Sequence, residues 1–139
     1  MKGTPSVLRS FATCCLTLVV LAAAGFAAAP SEVVFRGPWH TTNRKLDGVM
    51  TCVVTRVAEQ EWRGRFFGNW NGVAFDHAVT FLGPPEALHG TALIDGAHYD
   101  WTGEFSQSMP QHFKGSFGGD RYTGWFDLQE QAGQTASPR

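Results

Sequence analysis

Cysteine is scarce in this chain of 139 residues, with only Cys14, Cys15 and Cys52. Cys14 and Cys15 fall in an apolar run near the start that reads as a removable leader. That leaves Cys52 alone, and one thiol closes no internal disulfide; it could only bridge two chains. Its place between Met50 and Val54, on an alternating apolar face, marks it instead as a small buried hydrophobe. Metal-ligand spacings are missing as well: there is no CxxC, no HExxH and no pair of His at short separation. No Ser sits in a nucleophile elbow, and no glycine-rich loop is built to cradle a phosphate. An excess of positive charge is lacking, since 11 Lys and Arg stand against 12 Asp and Glu. Beyond residue 29 the balance is nine against twelve, so no basic field draws the protein to nucleic acid or to an anionic membrane surface. Helical spacing of apolar residues is absent over any useful length.

What is present begins with Lys2 and Arg9, an apolar run from Phe11 to Gly25, and the small residues Ala27-Ala28-Ala29 before Pro30. Basic, apolar and small-residue segments in that order make a secretory signal peptide over residues 1–29, cleaved after Ala29. The competing reading is an uncleaved anchor, because Phe11–Ala29 approaches the roughly 20 apolar residues of a spanning helix. Cleavage predicts a secreted or periplasmic protein that is a monomer and has no membrane segment. The remaining chain, about 110 residues, fits one small domain that is stable without disulfides.

From Val33 onward apolar and polar residues alternate, and Gly, Asn-Gly, Asp-Gly or Pro clusters interrupt the alternation every eight to twelve residues. That is an all-β pattern. It predicts eight strands, near 33–41 (broken or placed at an edge by Pro38), 49–57, 61–70, 73–82, 87–94, 98–105, 112–117 and 121–128. Asn71-Gly72 is the strongest hairpin signal, because both residues tolerate the positive φ of a type I′ turn. Gly118-Gly119-Asp120 reads as a turn. The stretch 129–139, polar and without an apolar stripe, reads as a disordered tail outside a single domain of residues 30–128. Strands joined by such short connections pair antiparallel with their sequence neighbours, so the expected architecture is an up-and-down meander. A meander either closes into a barrel or stays an open, strongly coiled sheet.

A recurring spelling bears on that choice. Tyr99-Asp100-Trp101-Thr102-Gly103-Glu104-Phe105 places a large apolar residue, a Gly and an aromatic two apart; the same spacing returns around Gly64, Gly90, Gly115 and Gly124. Residues two apart in a strand share a face. Bulky residues alternating with Gly on one face describe a concave interior, where a neighbour's side chain fills the space above each Gly. This favours a small closed barrel, and Gly103→Val is expected to overfill it.

Gly37-Pro38-Trp39 resembles the Gly-x-Trp signature that begins the barrel in the calycin group of lipocalins and avidins, and Trp101-Thr102-Gly103-Glu104-Phe105 is similar to the strands of avidin-type barrels. The resemblance implies an eight-stranded up-and-down barrel with a ligand site in its mouth. Asp95-Gly96-Ala97-His98-Tyr99 and Gly119-Asp120-Arg121-Tyr122-Thr123-Gly124-Trp125-Phe126 also look like MORN hairpins, which imply the open coiled sheet.

Strand parity sorts the five His. His89, His98 and His112 share faces with polar residues and should meet solvent, and His40 is ambiguous. His77 alternates with Phe75, Val79 and Phe81 and therefore points inward. It is either a core histidine hydrogen-bonded to a backbone carbonyl or a Tyr hydroxyl, or the polar group of a pocket lined by Trp62, Trp70, Trp101, Tyr99 and Tyr122. The carboxylates Asp76, Asp95, Asp100, Glu104 and Asp127 fall on outward or turn positions, which argues against paired acid/base chemistry and hence against a hydrolase. Phe67 and Trp125 fall on the outer face and would form a contact patch if their strands were neighbours. The expectation is a non-enzymatic barrel without a cofactor that binds a small apolar ligand or an envelope partner; the alternative is a structural module of the cell envelope with a fully packed core.

Overall fold

The structure is a computed structural model that describes Gly3 and residues 31–133. The predicted leader of residues 1–29 and the last six residues of the predicted tail lie outside the described residues, apart from Gly3. Eight strands follow one another: β1 (Glu32–Thr41), β2 (Asp47–Ala58), β3 (Glu61–Trp70), β4 (Val73–Leu82), β5 (Leu88–Ile94), β6 (Ala97–Phe105), β7 (His112–Gly119) and β8 (Thr123–Glu130). Each pairs antiparallel with the next, and β1 pairs with β8, so the sheet is a closed barrel. The open coiled sheet implied by the MORN-like spelling is thereby excluded: Trp39, His40 and Thr41 lie opposite Phe126, Trp125 and Gly124.

Most strand limits shift by one or two residues from the sequence reading, and three differences matter for the barrel. β8 runs on through Gln129 and Glu130, which pair with Arg36 and Phe35, so the barrel extends two residues past 128. Their side chains carry no apolar signal because the pairing is made by backbone groups. β7 continues through Gly118 and Gly119, opposite Asp100 and Tyr99, and the chain turns at 120–122, where the Gly119 N–H donates to the Tyr122 carbonyl at 3.0 Å. Pro38, finally, lies inside β1 rather than at a break. On the β8 side the pairs lapse between Arg36↔Gln129 and Trp39↔Phe126, and that lapse accommodates a residue with no N–H to donate.

The turns behave as their residues dictate. Asn71 and Gly72 adopt φ of 48° and 81°, Asp95 and Gly96 adopt 49° and 77°, the left-handed pairs that a two-residue hairpin needs. On the inner face, several glycines lie beneath an aromatic ring of an adjacent strand, whereas Gly90 of the repeated spelling meets the Thr80 backbone and Val79. Gly119 faces Tyr99, Gly115 faces Phe126 and Gly124 faces Phe117 across their ladders, and Gly48 faces Trp39. A Cβ on Gly48 would stand 2.9 Å from the Trp39 indole nitrogen, so the ring needs the missing side chain.

The half of the barrel around the β2–β3 and β6–β7 connections is filled. Phe113, fully buried, has its ring centroid 4.6 Å from Phe105, 5.2 Å from Phe126, 5.7 Å from Phe81 and 5.8 Å from Phe35. Cys52 is free and buried in the same half, and burial pushes its thiol pKa well up. The sign follows: a thiol held neutral in the fold contributes its stability fully below the unfolded value of about 8.5 and loses it as pH rises beyond. Unfolding free energy should therefore fall above pH ~8.5 by up to about 1.4 kcal/mol per pH unit relative to Cys52→Ala. Denaturant titrations at several pH values check this, and parallel curves for the two proteins would refute it.

Candidate functional site

The other half of the barrel is not filled. Its rim is formed by four connections, residues 42–46, 71–72, 95–96 and 120–122, and beneath them opens a pocket of about 190 Å³. The floor is Phe66 stacked on Trp101, ring centroids 4.8 Å apart. Trp39, Phe75 and Phe117 form the walls, and Trp70, Tyr99 and Tyr122 stand nearer the rim. Strand period 2 brings them together: Trp70 and Phe66 on β3, Phe75 and His77 on β4, and Tyr99 and Trp101 on β6 all point inward in the rim-side half of the barrel.

Five of the six residues singled out by sequence parity, His77, Trp70, Trp101, Tyr99 and Tyr122, line this pocket. Trp62 does not. It points to the interior but from the far end of β3, where its indole N–H donates to the Gly83 carbonyl at 3.3 Å and its ring lies 5.2 Å from Phe105. Parity gives the face of a residue and not its height along the strand. Eight residues separate Trp62 from Trp70, roughly 27 Å at 3.4 Å per residue.

Sequence reading missed, among other pocket residues, Phe66 of the floor and Trp39, Phe75, Phe117 and Arg121. Signals for two of them were in view: Trp39 is the aromatic of Gly37-Pro38-Trp39, and Phe75 shares the His77 face. For Arg121 the alternation is misleading: it reads as the outward start of the strand 121–128, but β8 begins at Thr123 and Arg121 belongs to the turn before it, at the pocket rim.

Polar groups at the pocket are few. His77 is half-buried, its ring stacks 5.8 Å from Phe75, and no group among the described residues hydrogen-bonds to it. The expectation of a core histidine bonded to a carbonyl or a Tyr hydroxyl is thus not met. The indole N–H groups of Trp39 and Trp101 are buried with no hydrogen-bond partner among the described residues, and both side chains line the pocket. A buried donor left unpaired costs about 1–3 kcal/mol. Burial raises the Tyr99 phenol pKa, with Tyr122 beside it adding to the shift, so the hydroxyl stays protonated at neutral pH. Asp95 and Arg121 sit at the rim, both exposed.

The rim is fastened on one side only. The Thr42 N–H donates to the Thr123 carbonyl at 2.7 Å, the two Thr hydroxyls meet at 2.9 Å, and Asn43 bonds both Arg121 and Thr123. These bonds tie the β1–β2 connection to the β7–β8 turn, and none of them reaches the 71–72 or 95–96 hairpin.

On the outer face the solvent-side histidines are where parity put them. His89 and His98 are exposed, and His112 Nδ1 lies 2.7 Å from Asp127. Asp76 is held below the usual carboxylate range by the Arg65 guanidinium, whose Nε donates to it at 2.9 Å. The patch imagined from Phe67 and Trp125 does not form. Phe67 is on β3 under Arg65, Trp125 is on β8 beside His40, and those strands are not neighbours. Among the described residues no group of three or more His, Cys, Asp or Glu could hold a metal ion. No family model matches the chain, and no curated protein or solved structure matches it.

Proposed function

We propose that this protein is an exported, non-enzymatic barrel that holds a small apolar ligand in its mouth half. The observation that carries the reading is the pocket of about 190 Å³, lined mainly by aromatic and aliphatic side chains beside the unpartnered ring of His77. A space of about 150 Å³ already holds a benzene ring, so the volume suits a ligand of one ring with small substituents. His77 and the two unpaired indoles are the groups that would orient it, since sites of this kind combine apolar walls with a few polar anchors. The calycin-like Gly37-Pro38-Trp39 agrees with this reading, because Trp39 is one of the pocket walls. Export rests on Lys2, Arg9, the Phe11–Gly25 run and Ala27-Ala28-Ala29, and places the protein outside the cytoplasm, secreted or periplasmic.

A structural module of the cell envelope remains the second reading. Two observations favour it: one half of the barrel is completely packed, and the pocket is smaller than the roughly 300–1,000 Å³ usual for ligand sites. Native mass spectrometry of the protein purified from its own source separates the two, with tryptophan fluorescence to follow release of any co-purified molecule. Ligand binding predicts a retained small mass whose loss changes the emission and whose retention drops in His77→Ala. An empty barrel, with emission that no single-ring compound alters, would leave the structural module standing.

A further inference from the structure

We infer that the ligand reaches the pocket sideways, through the seam between β4 and β5, and that this way in selects uncharged, flat, single-ring molecules. The inference rests on the binding reading above. Every other ladder of the barrel joins five or more residue pairs, but β4 and β5 share only Thr80↔Thr91, Phe81↔Gly90 and Leu82↔His89, all at the filled end. From there to the rim the two strands are not paired with each other, over 73–79 on β4 and 92–94 on β5, and among the described residues no turn or loop backbone bond covers the gap. β4 keeps its other edge fully engaged, with ten pairs to β3, so the lapse belongs to the seam and not to a frayed strand.

The seam opens directly on the pocket. Continued in the same register, it would set His77 opposite Ile94, and both of these residues line the pocket. The unpaired stretch is therefore a side wall of the site that lacks hydrogen bonds. Midway along it the lips are apolar, with Leu93 66% exposed and Phe75 just inside, and toward the rim Val73 is 62% exposed; the carboxylate of Asp76 is turned to Arg65, and Asp95 stands only at the rim end of the seam. The axial opening contrasts on both counts. It carries the charges of Asp95 and Arg121, and one side of it is tied by the bonds from Thr42 and Asn43 to 121–123. Widening the seam breaks no backbone bond, whereas widening the tied side of the rim breaks several, and each broken bond raises the barrier to opening. A charged molecule passing the apolar lips would lose its hydration without a partner, which is why the seam passes neutral rings. Edge strands in soluble proteins are usually blunted by Lys, Pro or a covering segment; Ala74, Asp76 and Ala78 here offer no such block, since Asp76 is tied to Arg65.

The test uses 4-fluorophenol as probe and fluorine NMR to read its exchange between free and bound states. In Ala78→Cys/Leu93→Cys the two new thiols are on the exposed face and, in the continued register, opposite each other; their disulfide closes the seam. The oxidised protein should exchange the probe at least tenfold more slowly than the reduced one. A disulfide at Thr42→Cys/Thr123→Cys, on the side of the rim already tied, should leave exchange unchanged. Should the seam thiols fail to join, Ala78→Cys alkylated with a bulky maleimide gives the same readout, because Cys52 is buried and does not compete. Equal exchange in the closed and open seam, or slowing by the rim disulfide instead, overturns lateral access while leaving binding intact. A probe that shows no bound state in the wild-type protein overturns the binding reading, and the seam proposal with it.

Discussion

Phe113→Ala is expected to lower the free energy of unfolding by about 3–5 kcal/mol, the range for an aromatic removed from a close-packed interior. Phe113 is 0% exposed, and the rings of Phe35, Phe81, Phe105 and Phe126 meet it from four different strands. None of the four can follow the lost ring without leaving a partner of its own: Phe105, for example, also packs on Phe35 and Trp62. The cavity should therefore persist, and residual cavities are what bring such substitutions to the upper part of the range. Domains of this size have about 5–15 kcal/mol in all, so the variant is expected near the edge of folding at room temperature. Chemical denaturation with an unchanged slope is the measurement. A loss below about 1 kcal/mol would mean that this half of the interior is not close-packed.

Gly103→Val should be nearly as damaging, by the opposite mechanism. A Cβ at Gly103 would stand 2.6 Å from Cε2 and 3.0 Å from Cζ of Phe113, and 3.6 Å from the Phe81 ring. Phe113 has no free space to retreat into, so the added atoms force rings off their rotamers or push β6 from β7. Overpacking of this kind costs about 1–3 kcal/mol and more where nothing can yield, so a loss at or above 3 kcal/mol is expected. Thermal and denaturant melts of Gly103→Val beside Gly103→Ala separate the two contributions, the alanine carrying the Cβ contact alone. A neutral valine would show that the inner face at Gly103 is not in contact with Phe113. Both results act on the packed half, and the seam and pocket residues lie outside it.

Much of this architecture is legible in the sequence because a barrel strand is written with a period of two. Glu61–Trp70 and Val73–Leu82 match their predicted limits, since Asn71-Gly72 punctuates them sharply and alternation is unbroken on either side. The Gly and aromatic spelling of Tyr99–Phe105 translates into buried and exposed residues in strict alternation. The same code places His77 inward. What it does not hold is depth, which is why Trp62 and Trp70 look equivalent on paper and end at opposite ends of the barrel. Nor does it hold pairing across the ladder: nothing in Val73–Val79 distinguishes a strand edge that is bonded from one that is free, because the side chains are the same in both cases. Gln129 and Glu130 were invisible as strand for a related reason, as their contribution is made with backbone groups that every residue has.

That last pairing has a kinetic consequence. Seven of the eight ladders join neighbours in sequence, each a hairpin that can form locally, while β1 with β8 joins residues as distant as Phe35 and Glu130. Bringing such ends together carries a loop-closure cost that no local contact offsets until the ring is complete, and folding slows as contacts become less local. The sheet can thus assemble as a growing ribbon, and circular order is imposed only when β8 arrives at β1. Glu130 and Gln129, opposite Phe35 and Arg36, then act as the clasp that turns a row of hairpins into one cooperative ring.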